Sequence, residues 1–160
     1  MSFHSKITSI IVHCSASPDS RDVDIEDIDQ WHEERGFQAH FGSRTVHCGY
    51  HAIVLRDGSL QLGRPERVVG AHVRGHNTCS LSICWIGTDY MTHLQRETLL
   101  KWVTNKLFAY SLPVEAVKGH CEYTSLKTCP NFESENTFES MDSFRDELTN
   151  YFTGGNNGPD

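Results

Sequence analysis

Two segments of the chain contain uninterrupted apolar runs, and these runs limit the folds that are open to it. Residues 7–15 have the sequence ITSIIVHCS, and residues 80–87 have the sequence SLSICWIG. Strands that are hydrophobic on both faces are typical of a sheet covered on both sides, whereas half-exposed strands alternate apolar and polar residues. The two segments therefore predict two buried strands.

Helices are predicted from capping residues and from the spacing of apolar side chains. Residues 22–36 place apolar positions at helical spacing, and Gly36 marks the expected C-terminal stop. Thr92 and Gln95 form a capping-box sequence ahead of a long amphipathic segment. A last helix is expected over residues 137–152.

The remaining strand signals complete the fold prediction. Residues 50–63, YHAIVLRDGSLQLG, predict a β-hairpin with Asp57 and Gly58 as its two-residue turn. Residues 114–118 predict a short strand, and the polar, glycine-containing residues 37–48 predict a loop. Strands interleaved with helices predict the fold class α/β (α+β), a single domain with a central mixed β-sheet flanked by helices.

Composition argues against several classes of protein. The formal net charge of −7 disfavours a chain that works mainly by neutralising phosphates, so we expect no nucleic acid partner. No apolar run approaches the length that spans a bilayer, so we expect no stable membrane insertion. The six cysteines include no CxxC pair, and the first residues lack the pattern of a signal peptide. We therefore expect a protein that is made in the cytoplasm with mostly free thiols.

The segment GHCEYTSLKTCP, residues 119–130, concentrates side chains that suit metal chemistry. It places His120, Glu122, Lys127 and Cys129 within twelve residues. Catalytic zinc usually has three protein ligands drawn from histidine, cysteine and carboxylate, with an open position for water. His120 and Cys129 are candidates for two of these ligands.

A third ligand has to come from elsewhere in the chain. His13 is the best candidate because it lies at the end of the first predicted strand, where a side chain can emerge at the sheet edge. Two alternatives remain open. His13 could be a core histidine bonded to a backbone carbonyl and Cys129 an inert thiol, or the cluster of His47, Cys48 and His51 could be the site.

Five segments of the chain, taken together, resemble one protein family. The chain resembles the zinc-dependent N-acetylmuramoyl-L-alanine amidases, the superfamily of short phage endolysins and peptidoglycan recognition proteins. The matching segments follow the family's order and reach from residue 10 to about residue 132. They are IIVHCSAS, IDQWHEERG, GYHAIVLRDGSLQLGR, VGAHVRGHNTCSLSI and GHCEYTSLKTCP.

The resemblance implies a metal site and a reaction. It implies one zinc ion per chain, held by His13, His120 and Cys129, with Tyr50 and Lys127 beside the metal as catalytic donors to a developing oxyanion. The bond cleaved would be the amide between N-acetylmuramic acid and the L-alanine of peptidoglycan.

Other residues receive supporting roles by the same resemblance. His72 and Asn77 lie in the segment that resembles the family's substrate cleft, so both are predicted to contact substrate, although Asn77 could equally cap a loop. Glu122 is expected to orient a ligand or a loop. The catalytic domain is expected to cover residues 1–153, with residues 154–160 as a flexible tail.

The resemblance also implies a biological setting. Short amidases of this kind resemble phage endolysins that lyse Gram-negative walls, acting on periplasmic peptidoglycan after another protein has permeabilised the inner membrane. The expected partner is the muramyl stem peptide of peptidoglycan, and the chain is expected to be a monomer. The alternative is a non-catalytic peptidoglycan-binding module, which the complete ligand set and Tyr50 disfavour.

Overall fold

The computed structural model describes residues 6–152 of the 160-residue chain. The described elements, in chain order, are β1 (Ser9–Cys14), α1 (Ile25–Glu34), β2 (Ala39–Phe41), β3 (Arg44–Val46), β4 (Ala52–Val54), β5 (Leu60–Leu62), β6 (Ser80–Trp85), α2 (His93–Ala109), β7 (Val117–Gly119) and α3 (Met141–Phe152). No helix among these is long and apolar enough to cross a membrane. The predicted tail at residues 154–160 lies outside the described residues.

The main sheet has five strands in the order β5-β4-β6-β1-β7. Strands β4, β6, β1 and β7 run parallel, and β5 pairs antiparallel with β4, so the sheet is mixed. The two apolar runs form the neighbouring strands β1 and β6, in which His13 lies opposite Cys84. The prediction of two buried strands is therefore confirmed.

Helices cover both faces of this sheet. On one face, Ile10 and Leu81 of the sheet pack in one hydrophobic cluster with Leu99 of α2 and Phe144 of α3. On the other face, α1 contributes to a smaller cluster around Ile53. The predicted fold class, a single α+β domain with a mixed sheet flanked by helices, is confirmed.

The ends of α1 and α2 follow from their capping residues. The predicted capping box of α2 is present, with the Thr92 hydroxyl accepting the Gln95 N–H and the Gln95 side chain accepting the Thr92 N–H. Gly36 ends α1 in the left-handed region at φ 79°, where its N–H donates to the carbonyl of Glu33. Phe37 N–H then donates to the carbonyl of His32, which fixes the end of the helix beside the cleft described below.

Two predictions, one of a loop and one of a hairpin turn, are wrong in detail. Residues 37–48 are not a plain loop, because β2 and β3 pair in an antiparallel hairpin that turns at Gly42 with φ 61°. These strands have only three residues each and are largely exposed, so they are too short to give a clear strand pattern in the sequence. The turn between β4 and β5 has three residues, since Leu55 N–H already bonds to the carbonyl of Ser59. Gly58 occupies its left-handed position at φ 85°.

Two element boundaries also differ from the prediction. The last helix begins at Met141, not at residue 137, because Ser140 caps it: the Ser140 hydroxyl accepts the N–H of Ser143 at 2.9 Å, and its carbonyl accepts the N–H of Phe144. The strand expected at residues 114–118 starts later. Residues 114–116 form a 3₁₀ turn, and β7 then runs directly into the segment that carries His120.

Candidate metal centre and cleft

The structure brings His13, His120 and Cys129 together. One ligand atom from each residue lies within 4.8 Å of the other two. Strands β1 and β7 are parallel neighbours with Val12 opposite Gly119, so His13 and His120, the next residue of each segment, emerge at the same edge of the sheet. The loop carrying Cys129 is closed onto this edge by a 2.9 Å hydrogen bond from Cys121 N–H to the Cys129 carbonyl.

The electrostatics of Cys129 and His13 favour metal binding. A hydrogen bond from the Cys14 thiol, followed by hydrogen bonds from His120 and His13, lowers the pKa of the Cys129 thiol despite its burial. Burial lowers the pKa of His13. Zinc takes thiolate sulfur and neutral imidazole nitrogen as ligands. The donor set therefore fits zinc.

Tyr50 and Lys127 occupy different depths of the same cleft. The Tyr50 ring lies 5.0 Å from the ring of His13, and burial raises the pKa of its hydroxyl, which therefore stays a donor. That hydroxyl also interacts with the thiol of Cys84 on β6. Lys127 is exposed and lines the cleft from the loop between His120 and Cys129.

His72 and Asn77, the predicted substrate contacts, both line the cleft as well. Nδ1 of His72 lies 3.0 Å from Nε2 of His13. Oδ1 of Asn77 accepts the backbone N–H groups of His72 and Val73, each at 2.9 Å, so this side chain caps the loop that carries His72. Substrate contact by either residue stays a prediction.

Glu122 lies behind the candidate metal site and not in it. Its carboxylate accepts the N–H of Gly119 at 2.9 Å and two hydrogen bonds from the guanidinium of Arg145 on α3, at 2.8 and 3.1 Å. Arg145 also donates to the carbonyl of Val117 in β7. Glu122 thus fixes the backbone on either side of His120, as expected of a residue that orients a loop.

The rival cluster does not converge on one point. Nδ1 of His47 bonds to the carbonyl of Phe37, and the Cys48 thiol points to the carbonyl of Tyr50. The ring of His51 bonds to Val68 and Ser82. Among residues 6–152, the group of His13, His120 and Cys129 is the one in which three such ligands meet.

Sequence reasoning missed His32, which lies in the cleft beside Tyr50. Its Nδ1 accepts the N–H of Gly49 at 2.8 Å, and burial lowers its pKa to about 4. His32 lies within the segment IDQWHEERG, and the spacing that places it on the inner face of α1 was the available signal.

The cleft has a volume of about 650 Å³ and a distinct electrostatic character. Among its described lining residues there are three cationic side chains, Arg35, Arg74 and Lys127, and no carboxylate. The chain as a whole carries a formal charge of −7, so the cleft is a basic region of an acidic protein. Such a lining suits an anionic ligand.

Comparison with known families agrees with this site. Residues 3–132 match the N-acetylmuramoyl-L-alanine amidase family. The chain belongs to that family, and its activity is that of an N-acetylmuramoyl-L-alanine amidase of the phage endolysin type.

Individual relatives of the chain are phage endolysins. The endolysin of Escherichia phage T7 is 32% identical over 139 residues, which cover 82% of this chain and 85% of that protein. The endolysin of Klebsiella phage KP32 is 40% identical over 80 residues, which cover 50% of this chain and 48% of that protein.

Solved structures support the fold. The N-acetylmuramoyl-L-alanine amidase LysC from Clostridium intestinale URNW superimposes with a TM-score of 0.73 at 22% identity, covering 93% of each chain. Drosophila PGRP-LB superimposes with a TM-score of 0.67 at 20% identity, covering 84% of each chain. These two likenesses concern the fold alone.

Proposed function

We propose that this amidase is zinc-dependent and that it cleaves the bond between N-acetylmuramic acid and L-alanine in the peptidoglycan of Gram-negative cell walls. The observation that carries the proposal is the convergence of His13, His120 and Cys129 at the cleft. The lowered pKa values of His13 and Cys129 support it. Each chain would hold one zinc ion. When bound, zinc supplies a Lewis acid for the scissile carbonyl and lowers the pKa of water.

The side chains around the ligands would do the remaining work. Hydrolysis of an amide passes through a tetrahedral oxyanion, and a donor aimed at that oxygen stabilises the transition state. Tyr50 keeps its proton because it is buried, so its hydroxyl can donate to the oxyanion. Lys127, on the loop between two ligands, can add a positive charge at the mouth of the cleft.

The basic lining also supports the choice of substrate. Stem peptides of peptidoglycan carry free carboxylates, and a cleft with Arg35, Arg74 and Lys127 but no described carboxylate would attract them. His72 and Asn77 are kept as proposed contributors to this part of the cleft. The complete ligand set and Tyr50 favour the enzyme over a non-catalytic binding module.

The proposed setting is the periplasm of a Gram-negative host, reached after another protein has permeabilised the inner membrane. Supporting this, the related endolysins come from phages of Escherichia and Klebsiella, which are Gram-negative genera. We propose that the chain acts as a monomer.

Digestion of purified peptidoglycan tests the reaction. The protein should release stem peptides with new L-alanine amino termini and leave the glycan strands long, without new reducing ends. A chelator should abolish the release and added zinc should restore it. The variant Cys129→Ser should lose this activity with its zinc. Cys79→Ser, which changes a partly buried cysteine outside the cleft, is its matched control. Full activity of metal-free protein would contradict the zinc proposal.

A further inference from the structure

A buried arginine, Arg64, holds the backbone that leads into the candidate catalytic residue Tyr50. Arg64 is only 5% exposed. Its Nε donates to the carbonyl of Cys48 at 2.9 Å, and its Nη1 donates to the carbonyl of Val69 at 2.9 Å. Its Nη2 lies 3.5 Å from the carbonyl of His47. The guanidinium therefore joins the segment before Tyr50 to the loop that precedes β6.

The backbone of Arg64 strengthens this connection. Its N–H donates to the carbonyl of Tyr50 at 3.0 Å, and the N–H of Gly63 donates to the carbonyl of His51 at 3.0 Å. A Cβ at Gly63 would lie 2.2 Å from the carbonyl oxygen of Tyr50, so the close approach of the two segments requires glycine there. Arg64 thus bonds both to the segment before Tyr50 and to Tyr50 itself.

A carboxylate from α1 holds the same segment. Oδ1 of Asp29 accepts the N–H of His47 at 2.7 Å and the N–H of Cys48 at 2.8 Å. Arg64 faces the carbonyls of these two residues. The negative charge of Asp29 also favours the charged form of Arg64. The conformation of the segment is therefore fixed by two side chains of opposite charge, one at its N–H groups and one at its carbonyls.

Arginine suits these partners better than lysine or an apolar residue. A guanidinium presents its donors in fixed directions within one plane, whereas an ammonium is a compact point charge. An apolar side chain would leave the buried carbonyl of Cys48 without this donor, which has a cost in free energy. Burial of the charge is itself unfavourable and lowers the pKa of Arg64. The bonds in return hold two chain segments in one geometry beside the cleft.

The segment that Arg64 holds places a side chain in the cleft. Tyr50 lines the cleft, with its ring 5.0 Å from the ring of His13. A group that acts on a transition state has to be placed closely, since a displacement of about 1 Å can cost about a hundredfold in rate. Arg64 does not line the cleft itself, so it can influence the reaction only through the residues it holds.

We propose that Arg64 is a positioning residue that holds the Tyr50 hydroxyl where it can donate to the oxyanion. The proposal rests on the mechanism proposed above, in which Tyr50 is that donor. A residue that only stabilises the fold would affect turnover equally whether or not the Tyr50 hydroxyl is present. A positioning residue loses its effect on turnover once that hydroxyl is removed.

A double-mutant cycle with Tyr50→Phe separates these two roles. The measured quantity is kcat for release of L-alanine amino termini from a soluble muramyl peptide. Arg64→Leu should lower kcat by about 10- to 100-fold when Tyr50 is present, because misplaced catalytic groups have costs of this order. In the Tyr50→Phe background the same substitution should lower kcat by no more than about threefold, because residues that act through one group are not additive.

Zinc content and a matched variant serve as controls. Arg64→Leu should retain about one zinc per chain, because the bonds of Arg64 go to residues other than the three candidate ligands. Arg56→Leu is the matched control, since Arg56 also donates to two backbone carbonyls, those of Ile86 and Tyr90. Any loss of kcat in Arg56→Leu should be the same factor with Tyr50 and in the Tyr50→Phe background.

The cycle can overturn the proposal. Equal losses for Arg64→Leu in the two backgrounds, or an unchanged kcat, would show that Arg64 does not act through Tyr50. If circular dichroism shows that Arg64→Leu does not fold, Arg64→Lys takes its place in the cycle. Lysine keeps the charge but not the fixed bond directions, so its loss should again depend on the Tyr50 hydroxyl. No loss, or the same loss in both backgrounds, would overturn the proposal here too.

Failure of the proposed mechanism gives different results. Full turnover by metal-free wild-type protein would contradict the zinc dependence, and the cycle would still report on Arg64. Turnover of Tyr50→Phe at the wild-type rate would contradict the role of Tyr50 and, with it, this proposal. A slow Tyr50→Phe variant with equal losses for Arg64→Leu in both backgrounds would contradict the role of Arg64 alone.

Discussion

Acid should destabilise this protein through His32, because protonation of its ring breaks a hydrogen bond inside the domain. Nδ1 of His32 accepts the N–H of Gly49 at 2.8 Å, and the residue is only 5% exposed. Burial, followed by the charges of Arg35 and Arg64, lowers its pKa from 6.5 to about 4. Gly49 precedes Tyr50, whose ring lies 5.1 Å from that of His32, so the same bond positions a candidate catalytic side chain.

The size of the effect follows from the difference between the folded and the unfolded pKa. The folded protein resists a proton that the unfolded chain accepts, so the stabilisation is complete above pH 6.5 and is lost as the pH falls towards 4. Between about pH 6.5 and pH 5 this histidine becomes largely protonated in the unfolded chain, whereas it stays largely neutral in the folded protein. At about 1.4 kcal/mol per pH unit, acidification to pH 5 should lower the free energy of unfolding by about 2 kcal/mol through His32.

Urea unfolding of metal-free protein at about pH 7.5 and pH 5 measures this loss. In His32→Asn the side-chain oxygen can still accept the Gly49 N–H, but it does not titrate. The wild type should therefore lose about 2 kcal/mol more than this variant between the two pH values. His93→Asn, at an exposed position on α2, should behave like the wild type. Equal losses in the wild type and His32→Asn would refute the reasoning.

Three further outcomes are expected. Cys129→Ser should lose zinc affinity, measured as metal content after dialysis, because an alcohol is a far weaker zinc ligand than a thiolate. Tyr50→Phe should retain zinc but turn over about a hundredfold or more slowly in a peptidoglycan release assay, since only a donor is removed; turnover at the wild-type rate would show that Tyr50 merely packs. Arg145→Leu should lower the free energy of unfolding by about 1–3 kcal/mol, because it leaves Glu122 without its charged partner. The same substitution should also weaken zinc binding. Unchanged stability of the Arg145→Leu protein in urea would argue against this role of Arg145.

Much of the fold was predictable because its strongest signals are local. The apolar runs of β1 and β6 and the capping box at Thr92 determine their elements without help from distant residues. The hairpin of β2 and β3 was not predictable in this way, because its strands have only three residues each and are mostly exposed. The start of α3 is set by the cap at Ser140, and it was placed too early because Thr137, a residue type that also caps helices, precedes it.

The residues of the candidate site were also predictable only in part. His120 and Cys129 were candidates because they share one short motif, and His13 because it ends a strand, but only the family resemblance implied the full set that the structure brings together. The contact between His13 and His72 depends on how the loop before β6 folds back over the sheet. The two residues are far apart in the sequence, so no local pattern predicts this contact. His32 was read only as a helix residue, since its bond to Gly49 joins two segments that are separate in the sequence.

The positions of the three candidate ligands in the sequence determine when the candidate site can form during synthesis. His13 lies on an early central strand, whereas His120 and Cys129 follow β7, the edge strand that is added beside β1 last. Arg145 of α3 then fastens β7 and Glu122 from a still later part of the chain. A ribosome-bound chain that ends before β7 lacks Val117, Phe132 and Phe144 of the larger hydrophobic cluster, and it also lacks two of the three candidate ligands. The proposed metal site can therefore assemble only after Cys129 has been synthesised, and fragments that end before β7 are expected to bind no zinc there.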